Sequence, residues 1–97
     1  MIIFKWIHKP SGQCPVQANG IFLGYHFYFR SRWELSTIDF YKTKQDWIDL
    51  YPSIKYIELK TDYYQYMAGY IKPRFAKLLI CKGCFKFLLK LLFKKLN

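Results

Sequence analysis

Residues 16–42, VQANGIFLGYHFYFRSRWELSTIDFYK, constrain the fold more than any other part of the chain. β-Branched and aromatic residues alternate there with polar ones, which is typical of half-buried strands, and short turn sequences interrupt the alternation. The pattern predicts three strands at residues 16–22, 25–32 and 35–41, with tight turns at Leu23-Gly24 and near Trp33-Glu34. Because connections this short join antiparallel neighbours, the sequence predicts a β-meander.

The alternation also sorts side chains between the two faces of the meander, because successive residues of a strand point to opposite sides. One face is predicted to form the core, and it carries Phe27, Phe29, Ile38 and Phe40. The opposite face is expected to meet water or a partner, and it carries His26, Arg30 and Arg32.

The segments that flank this stretch complete a predicted α+β fold. Residues 2–8 have the composition of a strand, and residues 53–60 alternate like a fourth meander strand or an edge strand. Between the meander and this last strand, TKQDWIDLYP predicts a short helix with Thr43 as its N-cap. After Thr61 the apolar spacing becomes helical, and Pro73 ends or bends that helix. We therefore expect a small antiparallel meander of three to four strands, a short helix and a C-terminal helical segment.

The C-terminal segment, residues 74–97, differs from the rest in charge. It holds seven basic residues and no acidic one, whereas residues 1–73 hold nine basic and six acidic residues. Its pattern predicts a basic amphipathic helix, either part of the same single domain as residues 1–73 or a tail. The expected lysine stripe consists of Lys82, Lys86, Lys90 and Lys94, opposite an apolar side that includes Phe85, Leu88, Leu89, Leu91, Leu92, Cys81 and Cys84. Gly83 weakens this helix by about 1 kcal/mol relative to Ala and could allow a bend.

The charge indicates an anionic partner. The chain has a formal net charge of +10, and such a block attracts nucleic-acid phosphates, anionic lipid headgroups or acidic protein surfaces. The preferred hypothesis is non-catalytic binding to a nucleic acid or a nucleic-acid-handling protein complex. The predicted anion-binding residues are Arg30, Arg32, Arg74, Lys77, Lys82, Lys86, Lys90, Lys94 and Lys95. The alternative is peripheral attachment to a membrane by the same helix, because lysine-rich helices with Leu and Phe on the other side lie in the lipid interface.

The cysteines leave a third hypothesis open, a zinc-stapled interaction module. The CKGC sequence spaces Cys81 and Cys84 as two ligands of one metal ion, and Cys14 and His8 could complete a zinc site. The simpler interpretation is that the two cysteines of the helix are small core residues. The odd number of cysteines and the absence of a signal-peptide pattern at the start predict a cytoplasmic protein, membrane-associated under the alternative hypothesis.

No catalytic pattern accompanies these features, so the sequence predicts a protein that is not an enzyme. The six carboxylates are scattered, and each has a turn, cap or surface explanation; the chain has no glycine-rich phosphate loop. Aromatic residues make up 22% of the chain and hydrophobic residues 53%, which argues against disorder. Small non-catalytic chains rich in Lys, Tyr, Phe and Ile are typical of phages and other mobile elements, where many block a larger machine.

One short stretch resembles a known motif. LGYHFYFR, residues 23–30, resembles the aromatic RNP1 strand of RNA-recognition motifs, with Gly24, Tyr25 and Phe27 in matching places. Leu23, His26 and Arg30 depart from the pattern. The structural context also differs, because the strand of that motif follows a helix, whereas the strand predicted here closes a hairpin. The resemblance covers eight residues and assigns no family.

Overall fold

The computed structural model describes residues 3–12, 16–32, 35–59 and 73–96. Five strands form one antiparallel sheet in chain order, β1 (Phe4–Ser11), β2 (Val16–Phe22), β3 (Tyr25–Arg32), β4 (Leu35–Tyr41) and β5 (Lys55–Leu59). A short helix, α1 (Lys44–Ile48), precedes β5, and a long helix, α2 (Pro73–Leu96), ends the chain. The α+β class and the meander are confirmed, but the sheet has five strands instead of three or four because both flanking segments pair with it.

Local sequence explains the sharp connections. Leu23 and Gly24 both adopt positive φ angles, 52° and 85°, as a two-residue turn of a right-twisted hairpin requires. Thr43 caps α1 as predicted, because its side-chain oxygen accepts a hydrogen bond of 3.1 Å from the backbone N–H of Asp46. The predicted turn near Trp33-Glu34 and the helical spacing between residues 61 and 72 lie outside the described residues.

The inner face of the sheet, which α2 covers, forms the core. Phe27, Phe29, Ile38 and Phe40 are each 0% exposed, so the predicted core face is confirmed. From α2, Phe87 stacks on Phe40 with ring centroids 4.0 Å apart and an interplanar angle of 2°. This contact fixes the middle of the helix over the centre of the sheet.

Gly83 has a packing role in α2. The helix is continuous from Pro73 to Leu96, so no break occurs at Gly83. A Cβ atom at this position would lie 2.6 Å from the Cγ2 atom of Ile38 and 3.5 Å from the Cδ1 atom of Leu59. The glycine therefore lets the helix backbone approach the sheet at a distance that any larger residue would prevent.

The outer face, on the other side of the sheet, is only partly covered. Trp47 of α1 stacks on His26 with ring centroids 4.7 Å apart and an interplanar angle of 26°. His26 is consequently 1% exposed, so the expectation that it would meet water is wrong. A register shift in β1 after Trp6 brings His8 onto this outer face, opposite Asn19 of β2.

Candidate functional site: the outward face of helix α2

Helix α2 uses one side for the core. Among its described side chains it buries Ala76, Ile80, Gly83, Cys84 and Phe87, each of which lies three or four positions from another member of the set, as one side of a helix requires. Because the sheet covers only this side, the other described positions of the helix lie at the rim of the core or point away from the sheet.

The side pointing away from the sheet, called the outward face here, is not purely polar. It carries a ridge of three apolar residues at intervals of seven, or about two helical turns, consisting of Leu78, Phe85 and Leu92. Their side chains are 65%, 59% and 52% exposed, respectively. Phe93 beside the ridge is also exposed. Exposed large apolar side chains that recur along one side of a helix make that side a candidate for contact with another surface.

Cations surround this ridge. Five basic residues of α2 are exposed, namely Arg74, Lys77, Lys82, Lys86 and Lys90, and the helix contains no Asp or Glu. No internal carboxylate on α2 neutralises these charges. The outward face therefore combines apolar area with a positive field that no residue of the helix itself compensates.

The outward face continues into a groove beside the edge strand β5. This groove has a volume of about 510 Å³, and α2 contributes Lys86, Leu89, Lys90 and Phe93 to its lining. Strand β5 contributes Lys55 through Glu58. The groove adds a further lysine, Lys55, to the positive field, and Glu58 is the one acidic residue among the described residues that line it.

The structure does not bring all the predicted anion-binding residues together. Arg30 is exposed on the outer face, where it lies near Tyr28, Asp39 and Tyr56, and the whole sheet separates it from α2. The side chains of Arg32, Lys94 and Lys95 lie outside the described part of the structure. Arg30 and the described lysines of α2 therefore do not share one surface.

The predicted division of α2 into a lysine side and an apolar side is only partly correct. Cys84 is buried as expected, but Cys81, Phe85 and Leu92 are exposed. The sequence contained a signal for this exposed ridge, because apolar residues occur all around the helical wheel and cannot all lie on one side of the helix. The ridge was missed because the sequence alone does not indicate how much of that apolar surface the sheet covers.

The predicted zinc ligands are also dispersed. Cys84 is buried in the core against the inner face, whereas His8 is exposed on the outer face, so the sheet lies between them. Burial, with the neighbouring Cys81 as a smaller cause, raises the pKa of the Cys84 thiol to about 12, so it stays protonated at neutral pH. Among the described residues no three His, Cys, Asp or Glu side chains form a cluster, and Cys14 lies outside that part of the chain.

In the portion of the chain that the structure describes, no helix combines the length and the apolar character needed to cross a membrane. No protein-family model, no curated protein and no solved structure matches the chain.

Proposed function

We propose that this protein is a non-catalytic peripheral membrane protein, and that the outward face of α2 attaches it to an anionic lipid surface. The observation that carries the proposal is the exposed ridge of Leu78, Phe85 and Leu92 within a helix that has five exposed cations and no carboxylate. Both features favour attachment to a lipid interface, because the ridge inserts at the acyl boundary while the lysines contact the headgroups.

The magnitudes favour reversible attachment. Full burial of a Leu or Phe side chain contributes about 1.5–3 kcal/mol, and each of the three ridge residues still exposes more than half of its surface. Each lysine near an anionic bilayer adds about 1 kcal/mol at physiological ionic strength. The two contributions are comparable, so neither the ridge nor the charge should suffice alone.

Charge also argues against a second copy of this chain as the occupant. Two α2 helices packed ridge to ridge would bring only cations together, because the helix provides no acidic residue to pair with them. An anionic partner removes this repulsion.

Binding to a nucleic acid or to a nucleic-acid-handling complex is the second candidate. The five exposed cations of α2 support it, since phosphates are neutralised by such residues. It leaves the ridge without a role, because Leu and Phe on a helix surface gain nothing from phosphates. For this reason the membrane proposal comes first.

The test is flotation of the full chain with phosphatidylcholine vesicles that do or do not contain phosphatidylserine. The ridge variant carries Leu78→Ser, Phe85→Ser and Leu92→Ser, and the charge variant carries Lys82→Gln, Lys86→Gln and Lys90→Gln. A matched control carries Ile48→Ser and Ile54→Ser, which are similarly exposed at 54% and 52% but belong to α1 and the segment before β5.

Wild type and the control should float with anionic vesicles and poorly with neutral ones. At physiological ionic strength both the charge variant and the ridge variant should lose the binding that wild type keeps, and the ridge variant should regain it at low salt, where its charges are less screened. Absence of wild-type flotation with anionic vesicles, or a ridge variant equal to the control, would reject the proposal. If either result is obtained and the ridge variant also binds a fluorescent single-stranded oligonucleotide in a salt-sensitive way, the second candidate would be supported.

A further inference from the structure

The groove between α2 and β5 gathers three lysines from two elements. It has a volume of about 510 Å³, and Lys55, Lys86 and Lys90 all line it. Lys55 lies in register with Phe40, whose side chain is buried on the inner face, so the Lys55 side chain also points to the side of the sheet that α2 covers. The strand and the helix therefore present their lysines to the same space.

The acidic residue at this groove is turned the other way. Glu58 lies in register with Thr37, which is itself opposite Arg30 of the outer face. Residues opposite one another in neighbouring strands share a face, so the Glu58 side chain points to the outer face. There its Oε1 atom accepts a hydrogen bond of 3.4 Å from the Tyr56 hydroxyl. The carboxylate is therefore on the far side of the strand from the three lysines.

The groove lies on a flank of α2, between the apolar ridge and the buried side. At about 100° per residue, Lys86 and Lys90 are rotated about 100° and 140° around the helix from Phe85 of the ridge. When the ridge inserts at the acyl boundary, this flank lies at the level of the lipid headgroups. Leu89 and Phe93 also line the groove and provide apolar surface for the glycerol and the first carbons of an acyl chain.

The number of lysines favours a doubly charged ligand group. A phosphate monoester carries a charge of about −1.5 to −2 at pH 7 and has three strong acceptor oxygens. A phosphodiester headgroup such as that of phosphatidylserine carries a single charge on its phosphate, and the same lysines would repel its ammonium group. Because each lysine has three N–H donors, lysines on both walls of the groove can surround a monoester.

We propose that this groove binds the phosphate monoester headgroup of a membrane lipid of the phosphatidic acid class. Lys55, Lys86 and Lys90 donate hydrogen bonds to the phosphate oxygens, while Leu89 and Phe93 contact the start of an acyl chain. The proposal rests on attachment of the outward face to a membrane and adds a headgroup preference to it. Lys55 separates the two proposals, because it belongs to β5 and not to α2.

The experiment is flotation of the full chain with phosphatidylcholine vesicles that contain either phosphatidic acid or phosphatidylserine, in amounts that give both the same zeta potential. Lys55→Gln removes the charge from the β5 wall of the groove, and Lys55→Arg retains it. The matched control is Lys77→Gln, which removes an exposed lysine of α2 that does not line the groove. Thermal unfolding of each variant verifies that it folds.

At physiological ionic strength wild type should bind the phosphatidic acid vesicles about fivefold more tightly than the phosphatidylserine vesicles, or better. Lys55→Gln should lower the affinity for phosphatidic acid about fivefold and the affinity for phosphatidylserine less than about twofold, so the preference should disappear. Lys55→Arg should keep the preference because it keeps the cation. Lys77→Gln should weaken binding to both lipids by the same factor, as general attraction to an anionic surface requires.

Two soluble probes distinguish a membrane lipid from a free phosphate. Dihexanoyl phosphatidic acid, below the concentration at which it forms micelles, should cause saturable shifts in the backbone amide signals of residues 55–59 and 86–93 of the ¹⁵N-labelled full chain. Glycerol 3-phosphate carries the same headgroup without acyl chains and should bind about tenfold more weakly or worse, because it loses the contacts with Leu89 and Phe93. Equal affinities for the two probes would overturn the assignment to a lipid.

The outcomes separate the headgroup preference from membrane attachment itself. Equal flotation of wild type with the two kinds of charge-matched vesicle would overturn the preference, and so would a loss in Lys55→Gln that is the same for both lipids. Membrane attachment by the outward face would then stand, because the phosphatidylserine vesicles test it alone. Absence of flotation with both lipids would reject the two proposals together.

Discussion

The two faces of the sheet differ in how far a helix covers them and in whether their buried polar groups are hydrogen-bonded. On the inner face a helix of 24 residues covers the strands, and the buried polar pair found there, Ser31 and Ser36, is joined by an Oγ to Oγ hydrogen bond of 2.6 Å. On the outer face a helix of five residues leaves a cavity, and His26 and Asn19 are buried with polar atoms that no described residue partners. The inner face provides stability, whereas the outer face retains polar groups that a stable core would exclude.

The difference follows from the reach of the two helices. At 1.5 Å per residue, α2 is about 36 Å long and spans the sheet, while α1 is about 7.5 Å long and covers a few residues of β3 and β4. Trp47 extends the cover of α1 by lying flat on His26. Substitutions on the two faces should therefore change the free energy of unfolding by different amounts. At one position of the outer face a substitution should raise it, whereas substitutions on the inner face lower it.

The largest effect is expected at the inner face. Replacement of Phe87 by Ala removes a ring that is 2% exposed and stacked on Phe40, so the free energy of unfolding should fall by about 3–5 kcal/mol. Phe85→Ala, two residues away on the outward face, should change it by less than about 0.5 kcal/mol. Urea denaturation measures both, and equal losses would contradict the assignment of the two sides of α2.

The outer face should make stability depend on pH. Burial, and secondarily the charge of Lys44, lowers the pKa of His26 from 6.5 to about 4. The unfolded chain therefore binds more protons than the folded one between these values, and stability should fall as the pH decreases from about 6.5 to about 4. The loss should reach at most about 3 kcal/mol.

His26→Phe isolates this contribution, because groups such as Asp39 are common to both proteins. The variant should lose that pH dependence, and at pH 7 it should be as stable as wild type or more stable, since it removes two buried ring nitrogens that no described residue partners. Thermal unfolding at a series of pH values tests this. Parallel pH profiles for wild type and variant would show that His26 stays exposed to water in the folded protein.

The close approach of α2 to the inner face should be sensitive to volume. Gly83→Leu places a side chain against Ile38 and Leu59, so we expect a loss of about 1–3 kcal/mol despite the better helix propensity of Leu. Lys82→Leu introduces the same residue at the neighbouring exposed position, where it meets no clash, so the free energy of unfolding should hardly change. A Gly83→Leu protein as stable as wild type would require α2 to lie further from the sheet.

The smallest effect is expected at the start of α1. Thr43→Ala removes the N-cap bond to the Asp46 N–H and should cost about 1 kcal/mol. The lost bond acts first on α1, the helix that carries Trp47, so hydrogen exchange at residues 44–48 should increase more than exchange in β3. Lys42→Ala, one residue earlier and exposed, serves as the control and should leave both unchanged.

The sequence by itself determined the strands of the meander, its turn at Leu23-Gly24, the N-cap at Thr43 and the core face of β3 and β4. These features depend on local rules: alternation with a period of two, turn chemistry and capping. The placement of Arg30 away from the core was also readable, because its parity differs from that of Phe29.

Only the tertiary structure decided which apolar side of α2 the sheet would bury, that the exposed ridge of Leu78, Phe85 and Leu92 would remain, and that Arg30 would lie across the sheet from the lysines. It also decided that Trp47 would bury His26 and form a cavity over Asn19. The physical reason is that burial results from contacts between residues distant in the chain. A helix that is apolar around most of its circumference offers several sides to a sheet, and close approach at Gly83 selects one of them.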